Sequence, residues 1–143
     1  MDKTKKMIKL KDILNEIAYP IKKAEVEYDD IDDELMAVTY KFSTKQSEYD
    51  IVFYAPDLGH FELTFGLKRQ DTGALDTDQM TGEGDAASII QTVCTAVNKF
   101  FEEYDDQIED LEIKGTNEKR SRVYKAYMPK YINQKYISRV DIK

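Results

Sequence analysis

A chain of 143 residues, 41% of them AVILMFWYC and 34% charged, is the size of one domain and buries roughly two-thirds of the surface its unfolded form exposes. Its apolar residues are too many and too evenly spread for a disordered chain, and a formal charge of −7 argues against a general nucleic-acid binder. One cysteine, Cys94, has no internal disulfide partner, and with one histidine, His60, it is too little for a zinc site. The basic start Met1–Lys6 is not followed by a signal-peptide core, and the longest uncharged runs, such as Ala86 to Asn98, are short and partly polar. A soluble cytoplasmic protein without a membrane partner is therefore expected.

In chain order, residues 1–20 read as an N-terminal helix, with Leu10, Ile13, Leu14 and Ile17 on one face and an end before Pro20. The period then changes to two across residues 23–69. Ala24, Val26 and Tyr28 alternate, then Met36, Val38, Tyr40 and Phe42, then Tyr49, Ile51 and Phe53, then Phe61, Leu63, Phe65 and Leu67. Three or four strands, each with one apolar face, make an antiparallel meander. Gln70 to Thr81 reads as a polar loop.

Residues 82–140 read as a helix–strand–helix–strand half. Ala86, Ile89, Ile90, Val93, Cys94, Val97, Phe100, Phe101 and Tyr104 form a broad helical stripe, which makes Cys94 a buried structural thiol. Ile108, Leu111 and Ile113 predict a short strand ending at Gly115, Asn117 to Met128 a helix, and Tyr131 to Val140 a final strand or strand pair. The expected class is α+β: one domain over residues 1–143, a mostly antiparallel sheet with helices packed on it.

One constellation suggests chemistry. Gln79-Met80-Thr81-Gly82-Glu83-Gly84 stands directly before the long helix, where glycines turn backbone N–H groups toward an anion and the helix dipole favours negative charge. Gln79, Gly82 and Gly84 fit a Q/R-x-x-G-x-G/A loop, and Asn117 and Tyr124 have the spacing of an Asn-led helix carrying a tyrosine. With the element order over residues 34–140, this resembles the GNAT (general-control-related N-acetyltransferase) superfamily. That resemblance implies acetyl-CoA held at Gln79, Gly82 and Gly84, with Tyr124 as acid and Glu62, on the polar side of its strand, as base. Thr81 to Asp85 and Ser121 to Tyr124 also resemble small bacteriophage proteins with a Thr-Gly-x-Gly-Asp turn. The chain departs from the acetyltransferase pattern at Glu83 and Asp85, acidic residues in the loop, and at Met128-Pro129 after the tyrosine helix.

Charge is divided along the chain. Residues 1–113 carry 12 basic and 26 acidic side chains, while residues 114–143 carry 9 and 2. The acidic runs Asp29–Glu34 and Glu102–Glu112 lack the spacing of a calcium loop and read as solvated turns. Three readings follow. The first is a non-catalytic GNAT-like, phage-type protein acting through contacts with a protein partner, as a virion or accessory component or a host-protein modulator, with no cofactor. The second is an active acetyl-CoA-dependent N-acetyltransferase. The third is an acidic nucleic-acid mimic.

Overall fold

A computed structural model describes residues 18–44, 47–68, 75–76, 86–115 and 118–143; the expected N-terminal helix lies almost wholly outside them. The meander forms as the alternation predicts. Strands β1 (Lys22–Tyr28), β2 (Leu35–Ser43), β3 (Glu48–Asp57) and β4 (His60–Lys68) pair antiparallel in chain order. Val38, Tyr40 and Phe42 of β2, Tyr49, Ile51 and Phe53 of β3, and Phe61, Leu63 and Phe65 of β4 are buried on one face. Met36 breaks the expected alternation. The register steps from Glu27↔Ala37 to Tyr28↔Leu35, so Met36 is the extra residue of a bulge. The bulge turns Leu35 inward and leaves Met36 38% exposed. Within the expected polar loop, Leu75–Asp76 forms a two-residue strand, β5, against the end of β4.

Helix α1 (Ala86–Tyr104) lays its apolar stripe over this face. Phe100 sits at the centre, with its ring centroid 4.2 Å from Phe53 and 5.1 Å from Phe61. Thr92, also fully buried, is satisfied on both sides: its hydroxyl donates to Ser88 O at 2.7 Å and accepts from Tyr19 N at 2.8 Å. That second bond, with the stacking of Tyr19 on Phe42, ties the entering chain to α1 and β2. Cys94 is buried as expected, and desolvation pushes its thiol up to about 12.

After α1 come β6 (Asp110–Ile113), helix α2 (Glu118–Tyr127), a 3₁₀ turn over Met128–Lys130, the short helix α3 (Gln134–Ile137) and β7 (Val140–Ile142). The expected final strand over Tyr131 to Val140 is thus corrected to a helical turn followed by three strand residues. Ile132, just ahead of the cap, and Tyr136 within α3 are buried, and the Asn133 side chain caps α3 by accepting from Lys135 N at 3.0 Å. Asn98 of α1 clamps the segment, donating to Tyr131 O at 3.0 Å and accepting from Asn133 N at 2.8 Å.

Among the described residues, seven strands form one mixed sheet in the order β1-β2-β3-β4-β6-β7, with β5 off this path. The β1–β5 pairings are antiparallel, while β6 runs parallel to β4 and β7 parallel to β6. The described residues therefore form a small α+β domain with a mostly antiparallel sheet and three helices. Part of the charge division is resolved by pairing of the basic C-terminal residues with the acidic body. Arg139 pairs with Asp105 and lies over the Phe101 ring at 4.8 Å, and Lys143 Nζ is 3.3 Å from Glu112.

Candidate functional site: a cleft where two parallel strands part

The two edges of β4 are treated differently. Toward β3 the ladder runs from Tyr49↔Leu67 to Asp57↔His60, with one irregularity near the turn. Toward β6 it covers only His60 to Leu63, and β5 then pairs at Leu67 and Lys68. Among the described residues, 64–66 have no strand partner on that second edge.

Beyond Ile113 the chain turns away from β4 through Lys114 and Gly115 into α2. Glycine is required there by close approach. A Cβ on Gly115 would lie 2.5 Å from Ser121 N and 2.9 Å from the Arg120 carbonyl carbon, inside the backbone of α2. The departure of β6 leaves a cleft of about 470 Å³ bounded by β4, the end of β6 and α2.

Side chains reach this cleft from both faces of the sheet. Phe65 and Tyr124 line it from the helix-covered side; Glu62, Thr64 and Glu112 come from the opposite face, with Lys114 at the turn. The strand alternation that buries Phe61 and Leu63 sends Glu62 the other way, as the sequence predicts. Tyr124 is 4% exposed, and its ring is tilted against Phe65 at 5.8 Å. Burial raises the Tyr124 phenol above the usual tyrosine range, while the Arg120 guanidinium, hydrogen-bonded to it, pulls the other way. The net effect keeps the phenol protonated at neutral pH.

Glu62 is oriented by its cross-strand neighbour. Tyr54 stands opposite it on β3, and the Tyr54 hydroxyl donates to the Glu62 carboxylate. That bond is the main reason the Tyr54 phenol is raised. On the other side Glu62 is in register with Glu112, whose charge is met by Lys143. The row presents one carboxylate held by a phenol beside another held by an ammonium.

Of the residues expected at a site, the structure brings Glu62 and Tyr124 to one cleft. Gln79, Gly82, Gly84 and Asn117 lie outside the described residues. Sequence reasoning missed Tyr54, Thr64, Lys114 and Arg120, and it treated Gly115 only as a strand end. Gly115 had a usable signal, since a lone glycine between a strand and a helix often marks a tight approach. Tyr54 had none before the register was known.

No group of three or more His, Cys, Asp or Glu is placed to hold a metal ion among the described residues, and no helix among them is long and apolar enough to cross a membrane. His60 stands apart from the cleft, at the start of the β4–β6 ladder. Its Nδ1 is 2.9 Å from Asp110 and its Nε2 is 3.2 Å from Glu109, and these carboxylates, Asp110 foremost, raise its pKa.

Residues 24–142 match the model of a family of unknown function, DUF6934, and the chain belongs to that family. Comparisons with curated proteins and with solved structures gave no match.

Proposed function

We propose that this member of the DUF6934 family is a GNAT-like domain that takes an acyl thioester into the cleft between β4 and β6 and passes the acyl group to an amine. The observation that carries the reading is the convergence of Glu62 and Tyr124, from opposite faces of the sheet, where two parallel strands part. The cleft suits such a ligand. Its volume of about 470 Å³ falls within the range of small-molecule sites. The β4 edge at 64–66, which has no strand partner among the described residues, offers backbone groups to the amides of a thioester arm, and Lys114 supplies a cation beside it. The loop with Gln79, Gly82 and Gly84 is the expected cradle for the pyrophosphate.

Bound acetyl-CoA supplies an activated acetyl group and a thiol leaving group. Glu62 takes the proton that the attacking amine sheds as the C–N bond forms. Tyr124 gives its phenolic proton to the sulfur as the C–S bond breaks, and recovers one from solvent. A phenol kept protonated by burial is suited to that task, and the Tyr54 hydroxyl on the neighbouring strand β3 fixes the Glu62 carboxylate by donating to it. The test is release of free thiol from acetyl-CoA in the presence of a panel of primary amines. Tyr124→Phe and Glu62→Gln are each expected to lower kcat by about 10²-fold or more. Unchanged rates in both variants, or no thiol release with any amine, would overturn the reading.

A second reading, a non-catalytic phage-type module working through protein contacts, is favoured by the exposed apolar residues Ile31 and Leu58 at one end of the sheet. Under it the cleft is idle, and acetyl-CoA leaves the melting temperature unchanged.

A further inference from the structure

Ile31 is 89% exposed and Leu58 64%, and neither lines the cleft. They stand at the same end of the sheet. Ile31 is on the β1–β2 turn and Leu58 on the β3–β4 turn, and the register Ala37↔Tyr54 brings the start of β2 beside the end of β3. Tyr28, 47% exposed, completes the apolar set at the foot of the first turn.

Both anchors are held on fixed turns. On the first, Asp29 N donates to Glu34 O at 2.8 Å and Asp33 N to Asp29 O at 2.9 Å. The Asp29 carboxylate accepts from Ile31 N at 2.9 Å, and Asp33 takes a left-handed φ of 55° to close the loop. On the second, Gly59 has φ 80° and its carbonyl accepts from Glu109 N at 2.8 Å. A side chain displayed on a turn already fixed by hydrogen bonds loses little backbone entropy when a partner covers it.

The surroundings define what could cover it. Asp29, Asp30, Asp32, Asp33 and Glu34 flank Ile31 on its own turn, and Asp57 precedes Leu58. The nearby His60 is already engaged by Asp110 and Glu109. An acidic rim around apolar anchors repels acidic proteins and nucleic acid, and it steers and orients a basic partner.

We propose that this end of the sheet is a docking surface for a basic protein segment, one that seats an apolar side chain on Ile31 and Leu58 and ranges lysines or arginines over the Asp29–Glu34 and Asp57 carboxylates. The surface is independent of the acyl-transfer reading. The strand directions put Lys114 and Gly115 at the far end of β6 from these turns.

The test uses the full chain, isotope-labelled, titrated with a synthetic amphipathic Lys/Leu peptide and, separately, with oligolysine. Shift changes are expected to concentrate on residues 28–36 and 57–60 with the Lys/Leu peptide. The Ile31→Ser/Leu58→Ser variant is expected to keep its melting temperature, because both side chains are solvent-exposed, and to bind the peptide about tenfold more weakly. Rising salt should weaken binding further. Equal affinity for oligolysine, shifts centred elsewhere, or no binding to the Lys/Leu peptide would overturn the proposal. Concentration-dependent shifts of the same residues in the unmixed protein would also overturn it, because a second copy of the chain would then be the occupant.

Discussion

The two edges of β4 are made by one strand and do opposite work. Toward β3, nearly every residue has a ladder partner, and the side chains beneath are the aromatic centre of the core. Toward β6, four residues pair, the strands part, and Glu62 and Tyr124 line one opening. A complete ladder spends its backbone groups on the fold and has none left for a ligand. On the other edge, residues 64–66 have no strand partner among the described residues, so their backbone groups are open to a ligand while the pairs on either side hold them in place. The site is therefore expected to tolerate damage that the closed edge does not.

The closed edge should show the largest effect. Phe100 is fully buried against Phe53 and Phe61, so Phe100→Ala is expected to cost about 3–5 kcal/mol in urea unfolding. A loss under 1 kcal/mol would mean that the core is not organised around that ring. At the open edge, Gly115→Ala drives a methyl group into the backbone of α2, at a cost of about 1–3 kcal/mol. It should also raise amide exchange in α2 and β6 while leaving β2 and β3 protected. Uniform loss of protection would erase the distinction between the edges.

Thr92→Val keeps the shape but removes the acceptor for Tyr19 N, at a cost of about 1 kcal/mol, with shift changes confined to residues 18–21 and the neighbouring turn of α1. The smallest effect belongs to His60, where the parallel ladder starts. Its pKa is raised in the fold, so its contribution is fully present below the unfolded value of about 6.5 and is lost as pH rises through the folded value. The wild type should lose a little stability between mildly acidic and alkaline pH relative to His60→Gln. Parallel pH profiles for the two proteins would remove His60 from the account.

The meander, α1 and the burial of Cys94 were legible in the sequence because each depends on a local period of two or 3.6 that tertiary packing reinforced. The Met36 bulge was not, because a pattern of alternation gives no sign of where pairing slips by one residue. The segment after Tyr131 misled because β-branched and aromatic residues favour strands on average, while the Asn133 cap starts a helical turn over Gln134–Ile137. In the cleft, Glu62 could be singled out by its strand face, and Tyr124 only by the resemblance to the acetyltransferase pattern. That they line one cleft depends on the parallel β4–β6 register and on how closely Gly115 lets the chain approach α2, and both are long-range facts.

The most direct test of the cleft is amide hydrogen exchange on the full chain with and without acetyl-CoA, run beside a thermal melt. Ligand at about 100 times its dissociation constant adds roughly 2.7 kcal/mol, a rise of several degrees for a domain of this size. The account predicts that rise together with new protection on the open edge of β4 at 64–66 and in the Lys114–Gly115 turn, and no melting shift for a Gly115→Val variant that remains folded. An unchanged melt at millimolar acetyl-CoA, or a rise with no new protection at 64–66 or in the Lys114–Gly115 turn, would contradict it.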